Sequence, residues 1–374
     1  MESMEISDLF GGIFRDKKVV ITGDTGFKGA WLTLWLTEMG ARVTGVAVDI
    51  PTKPALFQVL QLKNHIQHIE ADIRDASMMQ QIILEEKPDF LFHLAAQPIV
   101  SRSYADPVET MQTNVMGTLH ILEALRQYDG PCTAVFITSD KCYDNVEWIW
   151  GYKESDHLGG KDPYSASKGA AELMIKTYVH SFFNKTDSKI KLCSVRAGNV
   201  IGGGDWAVNR IVPDCVRAWS EHQAVEIRNP QATRPWQHVF EPLSGYLLAA
   251  QALSEGKSGI HGEPFNFGPD ADQNKTVEEL IKRLTYYWDA SLEQLYQVTG
   301  DIQFHEAGLL KLNCDKALFY LHWKPILVFE ETALFTSKWY KAYYAGKEDI
   351  FLYSKAQLGS YVELAKNRNA VWCN

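Results

Sequence analysis

Tyr164 and Lys168 stand four residues apart in Tyr164-Ser165-Ala166-Ser167-Lys168, a spacing that puts both on one face of a helix. A lysine ammonium beside a tyrosine hydroxyl favours the phenolate, whose ordinary pKa is about 10. Such a phenolate takes a proton from an alcohol while hydride leaves for a nicotinamide. The same stretch also suits an exposed helix start, and its small residues suit a helix packed closely on a neighbour. Upstream, Thr138-Ser139-Asp140-Lys141 offers a hydroxyl that can hold a substrate oxygen. It also offers a carboxyl that serves as a general acid if its pKa is raised. Taken without Tyr164 and Lys168, that run reads equally as a solvated Ser-Asp-Lys turn.

A hydride acceptor needs a seat. Gly23-Asp24-Thr25-Gly26-Phe27-Lys28-Gly29 has the Gly-x-x-Gly-x-x-Gly spacing that lets a backbone turn approach a pyrophosphate at a helix N-terminus. Asp49 follows at the end of the next expected strand, placed to hold a ribose 2′-hydroxyl and to repel a 2′-phosphate. The cofactor reading is therefore NAD rather than NADP. Asp72 and Ile73 suit either an adenine contact or a helix N-cap at Asp72. Leu94-Ala95-Ala96 is small enough for a cofactor to lie against the backbone. Asn114, a poor helix former within a long helical pattern, implies a buried hydrogen-bonding duty. His93, His238 and His305 lack metal-ligand spacing, and no metal site is expected.

Positioning these groups requires a regular frame. Short apolar runs at Lys17–Gly23, Ala41–Val48, Ile66–Glu70, Phe90–Leu94, Ala134–Thr138 and Lys189–Arg196 read as strands. Helical patterns alternate with them at Phe27–Gly40, Ala76–Glu86, Pro107–Tyr128 and Tyr164–Phe183. That alternation predicts an α/β fold: a Rossmann-type doubly wound parallel sheet, with a smaller mixed α/β C-terminal domain. Ligands in such sheets bind beyond the carboxyl ends of the strands, where each motif above falls. The expected division is a dinucleotide-binding domain over residues 1–196 and a second domain over 197–374. Segments near 230–253 and 264–268 are expected to return to the first. In the second part, Ile211–Ser220 reads as a helix and Ala224–Arg228 as a strand.

The net charge of −9 disfavours nucleic acid or an anionic membrane as partner. The longest apolar helix-like run, Ala30–Leu36, is far too short to span a bilayer, and the stretch up to Arg15 does not read as a signal peptide. Six scattered cysteines without a Cys-x-x-Cys pair fit a reduced, cytoplasmic protein. The eleven tryptophans read mainly as core and interface packing.

Taken together, these motifs resemble the extended short-chain dehydrogenase/reductase family from Lys17 to about Trp339. Within it, the chain is similar to the nucleotide-sugar 4,6-dehydratases. The likeness rests on Gly23–Gly29, His93-Leu94-Ala95-Ala96-Gln97-Pro98, Thr113-Asn114, Thr138–Tyr143 and Tyr164–Lys168. It continues through Arg196–Trp206 and Arg234–Val239. The resemblance implies that Tyr164 takes the proton of a sugar 4-hydroxyl, Lys168 lowers its pKa and holds the nicotinamide ribose, and Ser139 positions the hydroxyl. It makes Asp140 the acid for the departing 6-hydroxyl, with Lys141 either the C5 base or the stabiliser of an enolate. Related dTDP-glucose enzymes carry Asp-Glu at the Asp140-Lys141 position. Gly23, Gly26, Phe27, Lys28, Gly29, Asp49, Asp72, Ile73, Leu94, Ala95, Ala96, Thr113 and Asn114, with Tyr164 and Lys168, would line the NAD site. Gln97, Asn199, Arg210, Arg234 and Asn266 would face the nucleotide sugar, Arg234 clamping its diphosphate. The implied substrate is a CDP-linked glucose. dTDP-glucose or UDP-N-acetylglucosamine dehydration is the alternative, and 4-epimerisation or cofactor sensing without catalysis the more distant ones. A homodimer or homotetramer built through the helices at Pro107–Tyr128 and Tyr164–Phe183 is also implied, as is a place in deoxysugar synthesis for surface polysaccharide.

Overall fold

The computed structural model describes residues 6–185, 187–288, 296–299 and 309–373; residues 1–5 and His305 lie outside them. Among the described residues, seven strands form one parallel sheet: β1 (Lys18–Thr22), β2 (Arg42–Ala47), β3 (Gln67–Glu70), β4 (Phe90–His93), β5 (Cys132–Ile137), β6 (Ile190–Arg196) and β7 (Pro264–Asn266). Their order is β7-β6-β5-β4-β1-β2-β3. The order reverses between β1 and β4, and the crevice opened there is where such sheets bind ligands. Central strands are buried along their length, as in β5, because helices cover both faces.

The principal helices are α1 (Phe27–Glu38), α2 (Ala76–Glu86), α3 (Pro107–Met111), α4 (Gly117–Gln127), α5 (Pro163–Tyr178), α6 (Ile211–Ser220), α7 (Phe240–Ser254), α8 (Val277–Trp288), α9 (Phe329–Ala345) and α10 (Ile350–Asn367). On one face α2, α4 and α5 bury Ile83, Leu122, Leu125 and Ile175 against the sheet. On the other, α1 and α7 bury Trp31, Trp35, Phe240 and Leu247. The helix expected over Pro107–Tyr128 is continuous but carries a π turn at Gln112–Met116 between α3 and α4. A second π turn, Val179–Phe183, ends α5.

Beyond Arg196 the chain supplies both layers. β7 pairs with β6, Asn266 opposite Arg196, and α7 lies on β5 and β6. Among the described residues, three short strand pairs stand apart from the main sheet: Val200–Ile201 with Gln237–His238, Thr233–Pro235 with Asn274–Thr276, and Val225–Ile227 with Tyr296–Val298. The helices α8 and α9 pack together beside them. The last turn, Val371–Cys373, returns to the face covered by α1, where Trp372 stacks on Phe10 at 5.2 Å and meets Trp35 edge-on at 5.8 Å. Glu241, at the start of α7, accepts hydrogen bonds from the backbone N–H of Ile326 (2.9 Å) and Leu327 (2.7 Å) and from the Tyr361 hydroxyl (3.2 Å) of α10. Among the described residues, no helix is long and apolar enough to cross a membrane.

Candidate active site

The turn from β1 into α1 is shaped by close approach. Gly23 has φ +80°, and a Cβ there would lie 2.7 Å from the backbone nitrogen of Ala95. At Gly29 a Cβ would sit 2.0 Å from the Gly23 carbonyl oxygen. No side chain caps α1 at Gly26, so the first N–H groups of the helix face outward together with its positive dipole end. Thr25 ties the turn to the end of β2 by donating to the Asp49 carbonyl at 2.7 Å, and the Asp49 side chain is exposed beside it. The cradle, the uncapped helix and the carboxylate fit a dinucleotide.

Leu94, Ala95 and Ala96 are half-buried at the end of β4 and form the floor. One directed chain of hydrogen bonds fixes it. The Ala95 N–H donates to Thr22 Oγ1 (3.3 Å), which meets His93 Nδ1 (2.7 Å). Beyond the ring, His93 Nε2 meets Thr118 Oγ1 (3.1 Å), and that hydroxyl donates to the Asn114 carbonyl (2.8 Å). Each hydroxyl has one proton to give, so the chain is satisfied when His93 is neutral with its proton on Nε2. Burial agrees, pushing the His93 imidazole down to about 3, with Lys168 adding to the effect.

Asn114 sits within the π turn and is buried. Its Oδ1 accepts from the Gln97 backbone (2.8 Å), and its Nδ2 donates to the Gln97 carbonyl (3.1 Å) and to Ser167 Oγ (2.9 Å). It therefore pins the loop after β4 to the helix of Tyr164 and Lys168. Thr113 beside it is half-buried.

Helix α5 starts sharply, since Asp162 accepts from the Ser165 N–H at 2.9 Å and Pro163 takes the first helical position. Tyr164 and Lys168 are both buried on one face of it. Burial pushes the Tyr164 hydroxyl up to about 12, with Asp140 adding, while a hydrogen bond with Ser139 and the charge of Arg210 pull it down. Burial pushes Lys168 down to about 8, against the pull of Cys142 and Glu172. Ser139 Oγ also donates to Asp140 Oδ1 at 2.9 Å. Ser139 and Asp140 thus lie beside the phenol, and Lys141 stands half-buried at the next position.

Asp140 is packed over Gly198, where a Cβ would come within 1.7 Å of Asp140 Oδ2. Asn199 follows in the left-handed region (φ 53°), turning the chain away from β6. Lys28 reaches from the glycine turn toward the same centre. Burial lowers it to about 8, Asp140 opposing, while Arg210 and Lys168 lower it further. Arg210 bonds Asp205 Oδ2 at 2.9 Å. The structure thus gathers Lys28, Ser139, Asp140, Tyr164, Lys168 and Arg210 around one centre. Arg234 lies on the antiparallel pair opposite Lys275 and donates to the Thr233 carbonyl at 2.8 Å.

Several expected residues are occupied within the protein. Asp72 holds Arg74 through both carboxylate oxygens (2.5–3.0 Å), and the N-cap of α2 is Asp75, which accepts from the Met78 N–H. That corrects the N-cap reading of Asp72: it lies three residues too early for the helix that forms. Ile73 is buried against Gly117, where a Cβ would be 2.5 Å from its Cδ1. Gln97 donates to Thr110 (2.9 Å) and accepts from the Ile99 N–H (2.6 Å). Asn266 spends both amide protons on the carbonyls of Tyr152 (2.9 Å) and Asn313 (3.0 Å) and accepts from the Tyr143 hydroxyl (2.8 Å).

Two buried pairs escape the sequence reading. Asp24, inside the glycine turn, bonds His68 Nδ1 at 2.8 Å, and burial raises its carboxyl despite that partner. Glu172 and Arg196 form a two-pronged ion pair with bonds of 2.8 and 2.9 Å. Glu172 continues the every-fourth-residue series of Tyr164 and Lys168, and Arg196 is a cation ending a buried strand; both signals were legible.

The family model for GDP-mannose 4,6-dehydratase matches residues 20–334. The chain is 48% identical over 355 residues to a CDP-glucose 4,6-dehydratase of Salmonella typhimurium, covering 93% of this chain and 97% of that protein. It is 28% identical to a CDP-paratose 2-epimerase of Salmonella typhi, covering 72% and 84%. Among solved structures, a UDP-glucose 4-epimerase of Thermotoga maritima with UDP-glucose superposes with a TM-score of 0.74 at 24% identity, covering 87% of this chain and 99% of that one. A dTDP-glucose 4,6-dehydratase double mutant of Streptomyces venezuelae, with NAD bound, gives 0.74 at 20% identity, covering 89% and 99%. These two structures share the fold.

Proposed function

The chain belongs to the GDP-mannose 4,6-dehydratase family, within the extended short-chain dehydrogenases/reductases, and from that membership we propose that it is a CDP-D-glucose 4,6-dehydratase. It is a hydro-lyase that converts CDP-D-glucose to CDP-4-dehydro-6-deoxy-D-glucose and water. The observation that carries the chemistry is the Ser139–Asp140 hydrogen bond lying beside the buried Tyr164. Oxidation needs the phenol and elimination the carboxyl.

NAD, bound along Gly23–Gly29, Asp49 and Leu94–Ala96, supplies a reversible hydride acceptor. Tyr164 takes the proton of the 4-hydroxyl, which Ser139 holds in place. Lys168 in its charged form supports the phenolate. A ketone at C4 acidifies the C5 proton, which a lysine can remove only when neutral; Lys141 is that base, or as a cation it stabilises the enolate. Asp140 protonates the departing 6-hydroxyl. Asn199, Arg210 and Arg234 belong to the nucleotide-sugar side, and residues 197–374 mainly to that domain. Gln97 and Asn266 serve as braces, given their internal bonds.

The half-buried and exposed apolar residues Val108, Met111, Val115 and Met116, on the face shared by α3, the π turn and α5, support a homodimer. The protein is read as cytoplasmic and as serving deoxysugar synthesis for surface polysaccharide.

The deciding experiment incubates the protein with NAD and, separately, CDP-, dTDP-, UDP- and GDP-linked sugars, and follows mass. Loss of water from CDP-glucose is expected. Loss only from another sugar nucleotide would overturn the substrate. An isomer of unchanged mass would mean an epimerase and leave Asp140 without its role.

A further inference from the structure

We propose that Glu172 and Arg196 form a buried clamp whose function is to hold the segment Ser139–Asp140–Lys141 at a fixed distance from the helix bearing Tyr164 and Lys168. These are positioning residues, and the inference rests on the dehydratase reading for its kinetic consequences. The segment is gripped at both ends by one network. On the leading side, Thr138 Oγ1 donates to Glu172 Oε1 at 2.5 Å. On the trailing side, Arg196 donates to the Tyr143 hydroxyl at 2.7 Å, and its guanidinium lies over the Tyr143 ring at 4.8 Å. Between them stands the Glu172–Arg196 pair, with side chains only 3% and 2% exposed.

The valences close. Glu172 accepts from Thr138, from Ser194 (2.8 Å) and twice from Arg196, which fills the usual capacity of a carboxylate. Tyr143 passes its own proton to Asn266 Oδ1 at 2.8 Å, anchoring the trailing side to β7. A saturated buried network of this kind is rigid and costly to leave half-made. Glu172 is rooted one helical turn beyond Lys168, so a shift of the helix is transmitted to Thr138 and a shift of the segment to Lys168. The oxidation pair and the elimination pair sit on different elements, and the sugar must meet both without leaving. Rate in such a site depends on sub-ångström placement.

The test uses variants that spare the ion pair. Thr138→Val removes the leading bond, Tyr143→Phe removes the trailing one together with the bond to Asn266, and Thr138→Ser restores the hydroxyl. Two readouts are taken on the full-length protein. The first is hydrogen exchange of the amides at 139–143, which needs no substrate. We expect exchange to rise about fivefold to tenfold in Thr138→Val, the size of one lost internal hydrogen bond, and at least as much in Tyr143→Phe, with Thr138→Ser near wild type. Unchanged exchange in both would overturn the clamp whatever the substrate. The second, with CDP-glucose, is single-turnover partitioning. Loss of water, which needs Asp140 and Lys141, should slow about tenfold, while C4 oxidation, seen as reduced nicotinamide and tied to the segment only through Ser139, should slow less, so that the reduced cofactor accumulates. Equal slowing of both steps, or of neither, would also overturn it. Wild-type protein that dehydrates no sugar nucleotide would instead sink the functional reading, and the exchange result would still judge the clamp.

Discussion

Gly198 and Asp140 are fitted to each other: the carboxylate occupies the space a β-carbon would need. Gly198→Ala should therefore fold yet lower turnover about hundredfold, the cost of misplacing a reacting group by an ångström. Circular dichroism together with steady-state rates checks it; near-normal turnover would show that Asp140 has room to move. Lys168 sets a second expectation. It is charged below about 8 and loses its proton as pH rises through that value. A phenolate formed at Tyr164 during the reaction then lacks its cation, so kcat/KM should fall on the alkaline side above about pH 8. Lys168→Arg, charged throughout, should remove that limb from the profile while being slower overall. The sequence disclosed the reacting types because their spacing is helical and local. Which polar groups are already spent was hidden, as for Asn266, because its partners come from distant elements.

At the scale of elements, Glu241 joins α7 to α10 and to the irregular segment at Ile326–Leu327. Burial pushes its carboxyl from 4.5 up to about 7, while the backbone bonds, Tyr361 and Arg368 pull the other way. Between those values the folded protein binds more protons than the unfolded chain, so stability falls as pH rises through about 4.5 to 7. The contribution is on the order of 3 kcal/mol. Glu241→Gln should flatten that slope and lower the melting temperature, because its amide would oppose a backbone N–H; thermal scans across that range measure both. The sheet strands and Ile211–Ser220 were legible from apolar runs and amphipathic period. The π turns were not, since an extra residue in a helical turn leaves no periodic signature over so short a span. Only Asn114, an awkward residue for a helix, betrayed the first of them.

For the whole molecule, the doubly wound order followed from alternation of strand and helix, a global pattern that single substitutions do not blur. The seating of Trp372 against Phe10 and Trp35 depends on contacts made across most of the chain. Assembly provides the test at this scale. Val108→Glu combined with Met111→Glu places charge on the exposed apolar face of α3, and light scattering should then report a single-chain mass in place of the dimer expected for wild type. An unchanged mass would move the interface elsewhere.

The π turn at Gln112–Met116 carries both Val115 and Met116 of that face and Asn114, which grips the loop after β4. One residue of an α-helix advances the phase by about 100°. A single-codon deletion there would leave α4 seated on the sheet and swing α3 around the helix axis, while Asn114 turned out of the core. One lesion would then be read twice, as a lost partner and as a slackened cofactor floor, so the length of this short stretch, more than its letters, is what an insertion or deletion scan should find intolerant.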